Sequence, residues 1–451
     1  MEELKNVDEI IRVVESLLRE RNYPKVRQML GNMNEADIAS LFDEMPAKDI
    51  PVLYRLLTKE HAAETFTYMS RDMQKTLINA LTDRELRDVM DEIFLDDTID
   101  MIEEMPANVV SRILKNTNEQ TRKMINQILN YPKDSAGSMM TIEYVNIKKE
   151  MTVGEAITRI RKTALDKETI YTCYVTENRK LIGLVTVKDL LLADDSSQIE
   201  DIMETNIIYA DTLQDKEEVA KMFGKYDFLA IPVVDAERRL VGIITFDDAM
   251  DVIEEETTED LSIMAAMTPP EESYFKTSIL QHAKNRILWL LILMLSATIT
   301  GMIITRYEDA FQSIPLLVSF IPMLMDTGGN CGSQSATLII RGIALDEIRF
   351  KDLFKVIFKE FRISLIVSVV LSIVNGVRIY LMYKEGGIAL VVGLTLMATV
   401  ILSKFIGCVL PLLAKKVKLD PAIMASPLIT TLVDTASILI YFTIATHILA
   451  L

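Results

Sequence analysis

The chain is poor in the residues that build disulfide-rich proteins and thiolate metal sites. Its 451 residues include three cysteines, three histidines and one tryptophan. Cys173, Cys331 and Cys408 have neither paired nor CxxC spacing, so the sequence predicts no disulfide framework and no thiolate-bound metal. It also lacks a nucleophile–base pair, a metal-hydrolase spacing and a Walker motif. These absences argue against an enzyme and against an ATP-driven pump.

Basic residues are outnumbered by acidic ones in the first 284 residues, which hold 34 Lys and Arg against 55 Asp and Glu. The remainder holds 14 basic against 10 acidic side chains within long apolar runs. An acidic surface repels nucleic acid, so no nucleic-acid partner is predicted. The polar, acidic start MEELKNVDEI is not a signal peptide, so we expect the N-terminal half to be cytoplasmic.

Residues 1–131 are predicted to form an acidic, all-α helical-repeat N-domain. Apolar residues recur at helical spacing in short segments that are separated by acidic or proline turns. The run ADIASLFDEMP at 36–46 returns as DDTIDMIEEMP at 96–106. Such an internal repeat indicates stacked short helices.

Between residues 132 and 258, predicted strands alternate with helices, and one unit repeats after about 59 residues. The run from Gly183 to Asp189 is matched by the run from Gly242 to Asp248. This resembles a tandem pair of α/β CBS domains, at 132–199 and 200–258, a module that often binds adenine nucleotides. Helix capping by the two aspartates is the alternative. By this resemblance, the residues that could bind ATP or another adenine nucleotide are Tyr171, Lys188 and Asp189.

Five apolar runs follow a polar connector at 259–284, and each is long enough to cross a hydrocarbon core of ~30 Å. Lys and Arg concentrate in the loops 341–362 and 414–419. The positive-inside rule places these loops and the N-terminal half in the cytoplasm and the C-terminus outside. The sequence thus predicts a multi-pass protein of the cell membrane, in contact with the bilayer. The predicted spans are 287–306, 314–340, 362–382, 388–413 and 421–449.

The last span carries a carboxylate, Asp434, close to its middle. An isolated carboxylate there costs at least ~2.5–3.5 kcal/mol, so we interpret Asp434 as a cation-binding residue of a pore. Pro427 is expected to kink the helix and to free the carbonyl of Ile423. A wall of oxygen atoms favours a hard cation such as Mg²⁺ or Ca²⁺. The neighbouring residues predicted to line the pore are Ser426, Pro427 and Thr430.

The second span contains the polar run DTGGNCGSQ. Its glycines alone would indicate close helix packing, but the polar side chains beside them favour a pore-facing helix. Lys404, midway along the fourth span, is expected either to pair with Asp326 or to extend its amine to the membrane interface. The residues of the second span predicted to line the pore are Asp326, Gly328, Gly329, Asn330 and Gln334.

Two membrane motifs carry a second resemblance. PMLMDTGGNCGSQSATLIIRG at 322–342 and DPAIMASPLITTLVDTASILIYF at 420–442, after an acidic helical N-domain and CBS units, resemble the MgtE family of magnesium channels. The resemblance implies a homodimer with five spans per subunit in residues 285–451 and a pore between subunits. Asp434 stands at the position of the family's pore aspartate.

The resemblance also implies passive import of Mg²⁺, with a gate that cytosolic Mg²⁺ closes by bridging the N-domain, the CBS pair and a plug helix at 259–284. A secondary exchanger of divalent cations and a membrane-anchored sensor remain alternatives. Clustered acids would repel one another unless divalent ions bridge them, although a solvated helix face is the plainer interpretation of each acid. The candidate ligands are Asp96, Asp97, Asp100, Asp215, Glu217, Asp227, Asp248, Asp251, Glu256, Glu259 and Asp260, with Asp247 and Glu255 in the same run.

Overall fold

The computed structural model describes residues 7–269, 274–275, 277–307, 312, 314–424 and 426–449. The side chains at positions 7, 8, 104 and 426 are outside the description, so the predicted pore-lining role of Ser426 lies outside the described residues. Residues 270–273 and 276 of the predicted connector also lie outside the described residues. The chain divides into two compact units, and the boundary falls between Ile253 and Glu254.

Short helices form the N-terminal part of the first unit. Both copies of the internal repeat form a ten-residue helix that ends before a Met-Pro pair. Side-chain caps begin several of the helices; Thr82 and Glu85, for example, form a reciprocal capping box. The helices are α1 Val7–Arg19, α2 Tyr23–Leu30, α3 Glu35–Glu44, α4 Ile50–Tyr54, α5 Lys59–Thr67, α6 Arg71–Ala80, α7 Asp83–Met90, α8 Leu95–Glu104, α9 Ala107–Asn116 and α10 Glu119–Ile128.

Two α/β repeats complete the first unit. Each has a three-stranded sheet whose first two strands are parallel and whose last two are antiparallel. The first repeat comprises β1 Val145–Ile147, α11 Val153–Thr163, β2 Thr172–Glu177, β3 Lys180–Thr186 and α12 Val187–Leu192. The second comprises α13 Ile199–Ile202, β4 Ala210–Asp211, α14 Lys216–Tyr226, β5 Ala230–Val234, β6 Leu240–Thr245 and α15 Phe246–Met264.

The segment that enters each repeat pairs with the sheet of the other repeat. Thr141 and Ile243 exchange two backbone hydrogen bonds of 2.8 Å, and Leu184 and Glu204 exchange bonds of 3.0 and 2.9 Å. The matched glycines allow this approach. A Cβ at position 242 would lie 2.7 Å from the Thr141 carbonyl oxygen, and one at position 183 would lie 2.6 Å from a methionine sulfur. The two repeats are therefore interlocked.

One apolar core joins the N-terminal helices to the second repeat. It contains Phe42, Phe66 and Ile113 from the helices together with Phe223 and Ile244 from the repeat. The first repeat has a separate small core. Burial of one continuous apolar surface makes the N-terminal helices and the second repeat a single packed body.

The second unit consists mainly of long helices. Within the described residues, four helices, α16, α18, α19 and α20, are long and apolar enough to cross a membrane. The 24-residue α17 is less apolar because it carries Asp326, Asn330 and Gln334. α18 begins nine residues before the predicted span, and the predicted boundary between residues 258 and 259 falls inside α15. The helices are α16 Ile279–Arg306, α17 Ile321–Ala344, α18 Leu353–Tyr383, α19 Gly386–Lys416 and α20 Ser426–Leu449.

Candidate functional site

Three carboxylates of the first unit converge on one point. One oxygen from each of Asp96, Glu143 and Glu168 lies within 4.8 Å of the other two. Asp96 belongs to the first turn of α8, Glu143 follows the interlocking segment at Thr141, and Glu168 precedes β2. Three oxygen ligands at this separation could hold a hard divalent cation.

Hydrogen bonds hold the Glu143 side chain against the start of α8. Its Oε2 accepts hydrogen bonds from the Thr141 hydroxyl and from the amide of Leu95, both at 3.0 Å. Leu95 is the first residue of α8, so Glu143 satisfies a donor at the positive end of that helix. The amide of Glu168 donates to the carbonyl oxygen of Glu143 at 2.9 Å. The interlocking of the two repeats thus assembles the cluster.

Burial and mutual repulsion raise the pKa of several carboxylic acids in and around this cluster. Burial, followed by repulsion from Asp248 and Glu168, raises the pKa of Asp96 well above its ordinary value. Burial and neighbouring carboxylates raise the pKa of Glu168 to about 8 and that of Asp97 to about 6. For Asp248, burial and the charge of Asp247 outweigh a hydrogen bond from Thr245 and raise the pKa to about 7. A bound cation would relieve this repulsion.

The structure brings together part of the predicted set of ligands. Asp96 and Asp97 of α8 face the start of α15. The negative charge of Asp100 helps to raise the pKa of Asp248, and that of Asp251 helps to raise the pKa of Asp97. Sequence reasoning missed Glu143 and Glu168. Neither lies in an acidic run or on a periodic helix face, so only the tertiary fold reveals them.

Other predicted ligands cap helix α14. Asp215 accepts hydrogen bonds from the amides of Glu217 and Glu218 at 2.9 and 3.3 Å. Asp227 ends the helix in the left-handed conformation, with φ of 56°. Their role as ligands, like that of Glu217, stays a prediction. The predicted ligands that lie on α15 within the second unit are Glu256, Glu259 and Asp260.

The predicted nucleotide-binding residues lie together at the start of α12. The Tyr171 carbonyl oxygen accepts a hydrogen bond from the amide of Val187 at 3.0 Å, and the Tyr171 side chain is 65% exposed. Lys188 follows on the helix. Asp189 forms a capping box with Thr186, whose hydroxyl donates to Oδ2 at 2.5 Å. The N-cap residue is thus Thr186, and Asp189 contributes to the cap from the third helical position, while its role in nucleotide binding stays a prediction.

In the second unit, α17 presents a polar face. Asp326, Asn330 and Gln334 recur every four residues and are all exposed. The side-chain amide of Asn330 donates to Asp326 at 3.1 Å. Gly328 and Gly329 of α17 pack against Val433 and Thr430 of α20, so Asp326 and Asp434 belong to two helices in direct contact. Two carboxylates on adjacent apolar helices can attract a cation but would be costly in lipid.

The expected kink in the last span is wrong. α20 begins one residue before Pro427, so the proline occupies the first turn, where its missing amide hydrogen costs little. The hydroxyls of Thr430 and Thr431 donate to the Pro427 carbonyl oxygen at 2.9 and 2.8 Å. The Thr435 hydroxyl bonds to that of Thr300 at 2.8 Å, which links α20 to α16 beside the central carboxylate.

The glycines of α17 serve helix packing. A Cβ at Gly328 would lie 2.7 Å from a methyl carbon of Thr399, and one at Gly329 would lie 2.8 Å from a methyl carbon of Thr430. Both glycines are buried. Close packing, the alternative interpretation of these glycines, is thus observed, and a pore-lining role for their carbonyls stays a prediction.

Lys404 is buried, and it neither pairs with Asp326 nor extends its amine to the membrane interface, so both expectations are wrong. Its ammonium group lies 3.8 Å from Glu360 Oε2 and donates to the Ser335 hydroxyl at 3.1 Å. The Ser335 hydroxyl in turn donates to Glu360 at 2.7 Å. Glu360 fell outside the predicted third span because α18 begins earlier than its hydrophobic run suggests.

Family profiles match most of the chain. The MgtE profile, described as a divalent cation transporter, matches residues 321–444. The MgtE intracellular N domain matches residues 33–134, and CBS domains match 136–196 and 199–255. The predicted fold class, a helical N-domain, a CBS pair and a helical membrane region, is confirmed.

Relatives in three bacteria are named magnesium transporter MgtE. The Bacillus subtilis protein is 35% identical over 97% of each chain. The Thermus thermophilus protein is 34% identical over 96% of this chain and 97% of its own length. The Enterococcus faecalis protein is 32% identical over 71% of this chain and 70% of its own length.

Solved structures resemble the soluble half. The cytosolic domain of the Mg²⁺ channel MgtE in complex with ATP is 35% identical, covers 54% of this chain and 99% of its own, and has a TM-score of 0.51. The soluble part of a magnesium transporter is 27% identical, covers 56% of this chain and 99% of its own, and has a TM-score of 0.52. The chain therefore belongs to the MgtE family of magnesium transporters and is a multi-pass membrane protein, not an enzyme.

Proposed function

We propose that this member of a magnesium-transporter family is a passive Mg²⁺ channel that cytosolic Mg²⁺ closes. The observation that carries the proposal is the pairing of a polar α17 face with the central carboxylate of α20 in otherwise apolar helices. The acidic cluster of the first unit supplies the sensor. Boundaries after residues 131, 199, 258 and 284 separate the N-domain, the two CBS domains, the plug helix and the pore domain.

The pore forms between two copies of the chain. Asp326, Asn330 and Gln334 are exposed on a single chain, and hydrocarbon contact would be costly for each of them. A second copy would turn this face toward a shared water-filled path. Asp434 then binds a largely hydrated Mg²⁺, because this ion gives up its waters reluctantly.

The membrane potential drives import. With the basic loops and the N-terminal half in the cytoplasm and the C-terminus outside, a potential of −100 mV favours entry by about 2.3 kcal/mol per charge, or ~4.6 kcal/mol for Mg²⁺. No fuel or counter-ion is required.

The gate responds to Mg²⁺ at the acidic cluster. Binding between α8, Glu143, Glu168 and the start of α15 holds these elements together, and removal of the ion restores their repulsion. α15 carries Asp248 in its first turn, and its last residue, Met264, packs against an apolar cluster of α17 and α20. That cluster comprises Ala336, Ile340, Ile429 and Val433. Movement of α15 therefore alters the packing around the pore.

An adenine nucleotide such as ATP binds near Tyr171, Lys188 and Asp189. ATP is bound in the solved cytosolic domain that is 35% identical to this chain. The exposed Tyr171 ring offers a stacking surface, and Lys188 offers a positive charge for a phosphate.

Mg²⁺ flux into proteoliposomes with a negative interior tests the proposal. Asp434→Asn should abolish voltage-driven flux, whereas Glu385→Gln at the outer end of the membrane helices should leave it unchanged. Asp96→Asn combined with Glu168→Gln should weaken inhibition by Mg²⁺ on the cytosolic face, whereas Glu119→Gln should not. Undiminished flux in Asp434→Asn would refute the pore assignment. Flux that requires a counter-ion gradient would identify an exchanger.

A further inference from the structure

A groove between α18 and α19 is lined by apolar side chains. Phe354, Phe358 and Phe361 of α18 and Phe405 of α19 form much of its wall. These rings are 82, 63, 45 and 47% exposed, respectively. The groove encloses about 780 Å³, a volume typical of ligand pockets. Among the described residues that line it, Glu360 alone is polar.

The groove straddles one boundary of the membrane hydrocarbon. α18 has 31 residues and is therefore about 46 Å long, whereas the hydrocarbon core is about 30 Å thick. The charged residues Lys384 and Glu385 end the α18–α19 hairpin on the other side of the membrane. The excess length of α18 therefore extends beyond the hydrocarbon near Leu353. Lipid headgroups and the upper parts of the acyl chains meet at this depth.

Basic side chains surround the same end of the groove. The Arg362 guanidinium carbon lies 5.9 Å from the centre of the Phe358 ring, and the Lys416 ammonium nitrogen lies 4.4 Å from that of Phe350. Residues 349–362 contain five Lys and Arg but two Asp and Glu. Of these two acids, Glu360 faces Lys404 and Asp352 accepts a hydrogen bond from Lys355. The mouth of the groove is therefore positively charged.

We propose that this groove binds an anionic phospholipid of the leaflet that faces the N-terminal half. The acyl chains lie along the phenylalanines, the phosphate contacts Arg362, and Lys416 adds to the positive charge that attracts the headgroup. The pattern of an apolar groove below a cationic mouth complements a negatively charged two-chained lipid. A second copy of the chain docked through this same face would bring like charges together. The proposal does not depend on which ion the protein transports.

Native mass spectrometry of the delipidated full-length protein tests this site. Phosphatidylglycerol should bind about tenfold more tightly than phosphatidylcholine with the same acyl chains. Arg362→Gln combined with Lys416→Gln should abolish that preference. Leu402→Trp, which fills the groove, should weaken binding of both lipids.

Matched controls lie on the same helices, away from the groove. Lys384→Gln removes a charge at the opposite end, and Val374→Trp enlarges a side chain that is 64% exposed on α18. Both should bind phosphatidylglycerol as the unaltered protein does. Equal affinity of the unaltered protein for the two lipids, or equal loss in Lys384→Gln, would overturn the proposal. Disulfide cross-linking of two copies through Phe358→Cys in bilayers would assign the groove to a second copy instead.

Discussion

The ammonium nitrogen of Lys404 and the carboxylate of Glu360 lie 3.8 Å apart within the membrane helices, and both side chains are more than 90% buried. The hydroxyl of Ser335 bonds to both partners. The three residues belong to α19, α18 and α17, so this polar contact joins three helices. Because α17 also carries Asp326 and Asn330, the contact supports the helix that presents the candidate pore residues.

Removal of one partner from this contact should be strongly destabilising. Lys404→Met leaves the Glu360 carboxylate buried without its cation, and Glu360→Gln leaves the ammonium group without its anion. Each single variant should lose about 3–5 kcal/mol, whereas the double variant should recover most of that loss. Thermal unfolding of the full-length protein in detergent measures the effect.

The double variant makes this prediction specific, because additive losses would show that the two residues do not interact. Lys384→Met serves as the matched control. Lys384 is exposed at the turn between α18 and α19 and should contribute little to stability.

The soluble half should become more stable as the pH falls from 8 to 6 in the absence of Mg²⁺. The raised pKa values of Glu168, Asp248 and Asp97, about 8, 7 and 6, mean that the folded state binds more protons than the unfolded state in this range. The free energy of unfolding therefore falls as the pH rises from 6 to 8, by about 1 kcal/mol over this range for each group that titrates in it. Chemical denaturation of residues 1–264 at several pH values measures it.

A matched pair of variants separates this effect from general charge effects. Glu168→Gln should flatten the pH dependence. Glu85→Gln should not, because Arg55 holds the pKa of Glu85 at about 2 and that group does not titrate in this range. The opposite slope, with stability rising toward pH 8, would contradict the pKa directions.

Mg²⁺ should stabilise the same soluble half, and removal of the ion with EDTA should reverse the gain. A ligand at a hundredfold excess over its dissociation constant contributes about 2.7 kcal/mol. Asp96→Asn should reduce this gain, because its carboxylate oxygen lies within 4.8 Å of those of Glu143 and Glu168. Asp83→Asn, whose carboxylate pairs with Arg112, is the control. An undiminished gain in Asp96→Asn would exclude this residue as a ligand.

Gly407→Ala should destabilise the membrane unit by about 1–3 kcal/mol. A Cβ there would overlap the carbonyl oxygen of Gly332, so α17 and α19 would have to separate. Gly301→Ala in α16 is the matched control, since a Cβ at Gly301 has no atom within 4 Å among the described neighbours. Thermal unfolding in detergent should show a loss for Gly407→Ala only.

Local pattern was enough to predict the helices of the N-terminal part, the paired α/β repeats and the apolar runs. Helical periodicity, strand alternation and long hydrophobic stretches are properties of neighbouring residues. Span ends were less predictable. Glu360 lies outside the hydrophobic run that marks α18, yet the helix continues through it, because a buried lysine on α19 supplies the partner that its charge needs.

The sequence by itself determined the family and the order of helical N-domain, CBS pair and membrane helices. It also predicts the topology from charge and a pore role for Asp434, since a carboxylate in an apolar run is costly wherever the helix lies. Only the tertiary structure decided that Glu143 and Glu168 join Asp96 and that Lys404 faces Glu360 rather than Asp326. The three carboxylates of the cluster are 25 to 72 positions apart in the sequence, and Lys404 and Glu360 are 44 positions apart. Electrostatic interaction depends on distance in space, and that distance is set by the interlocking of the repeats and the packing of the helices.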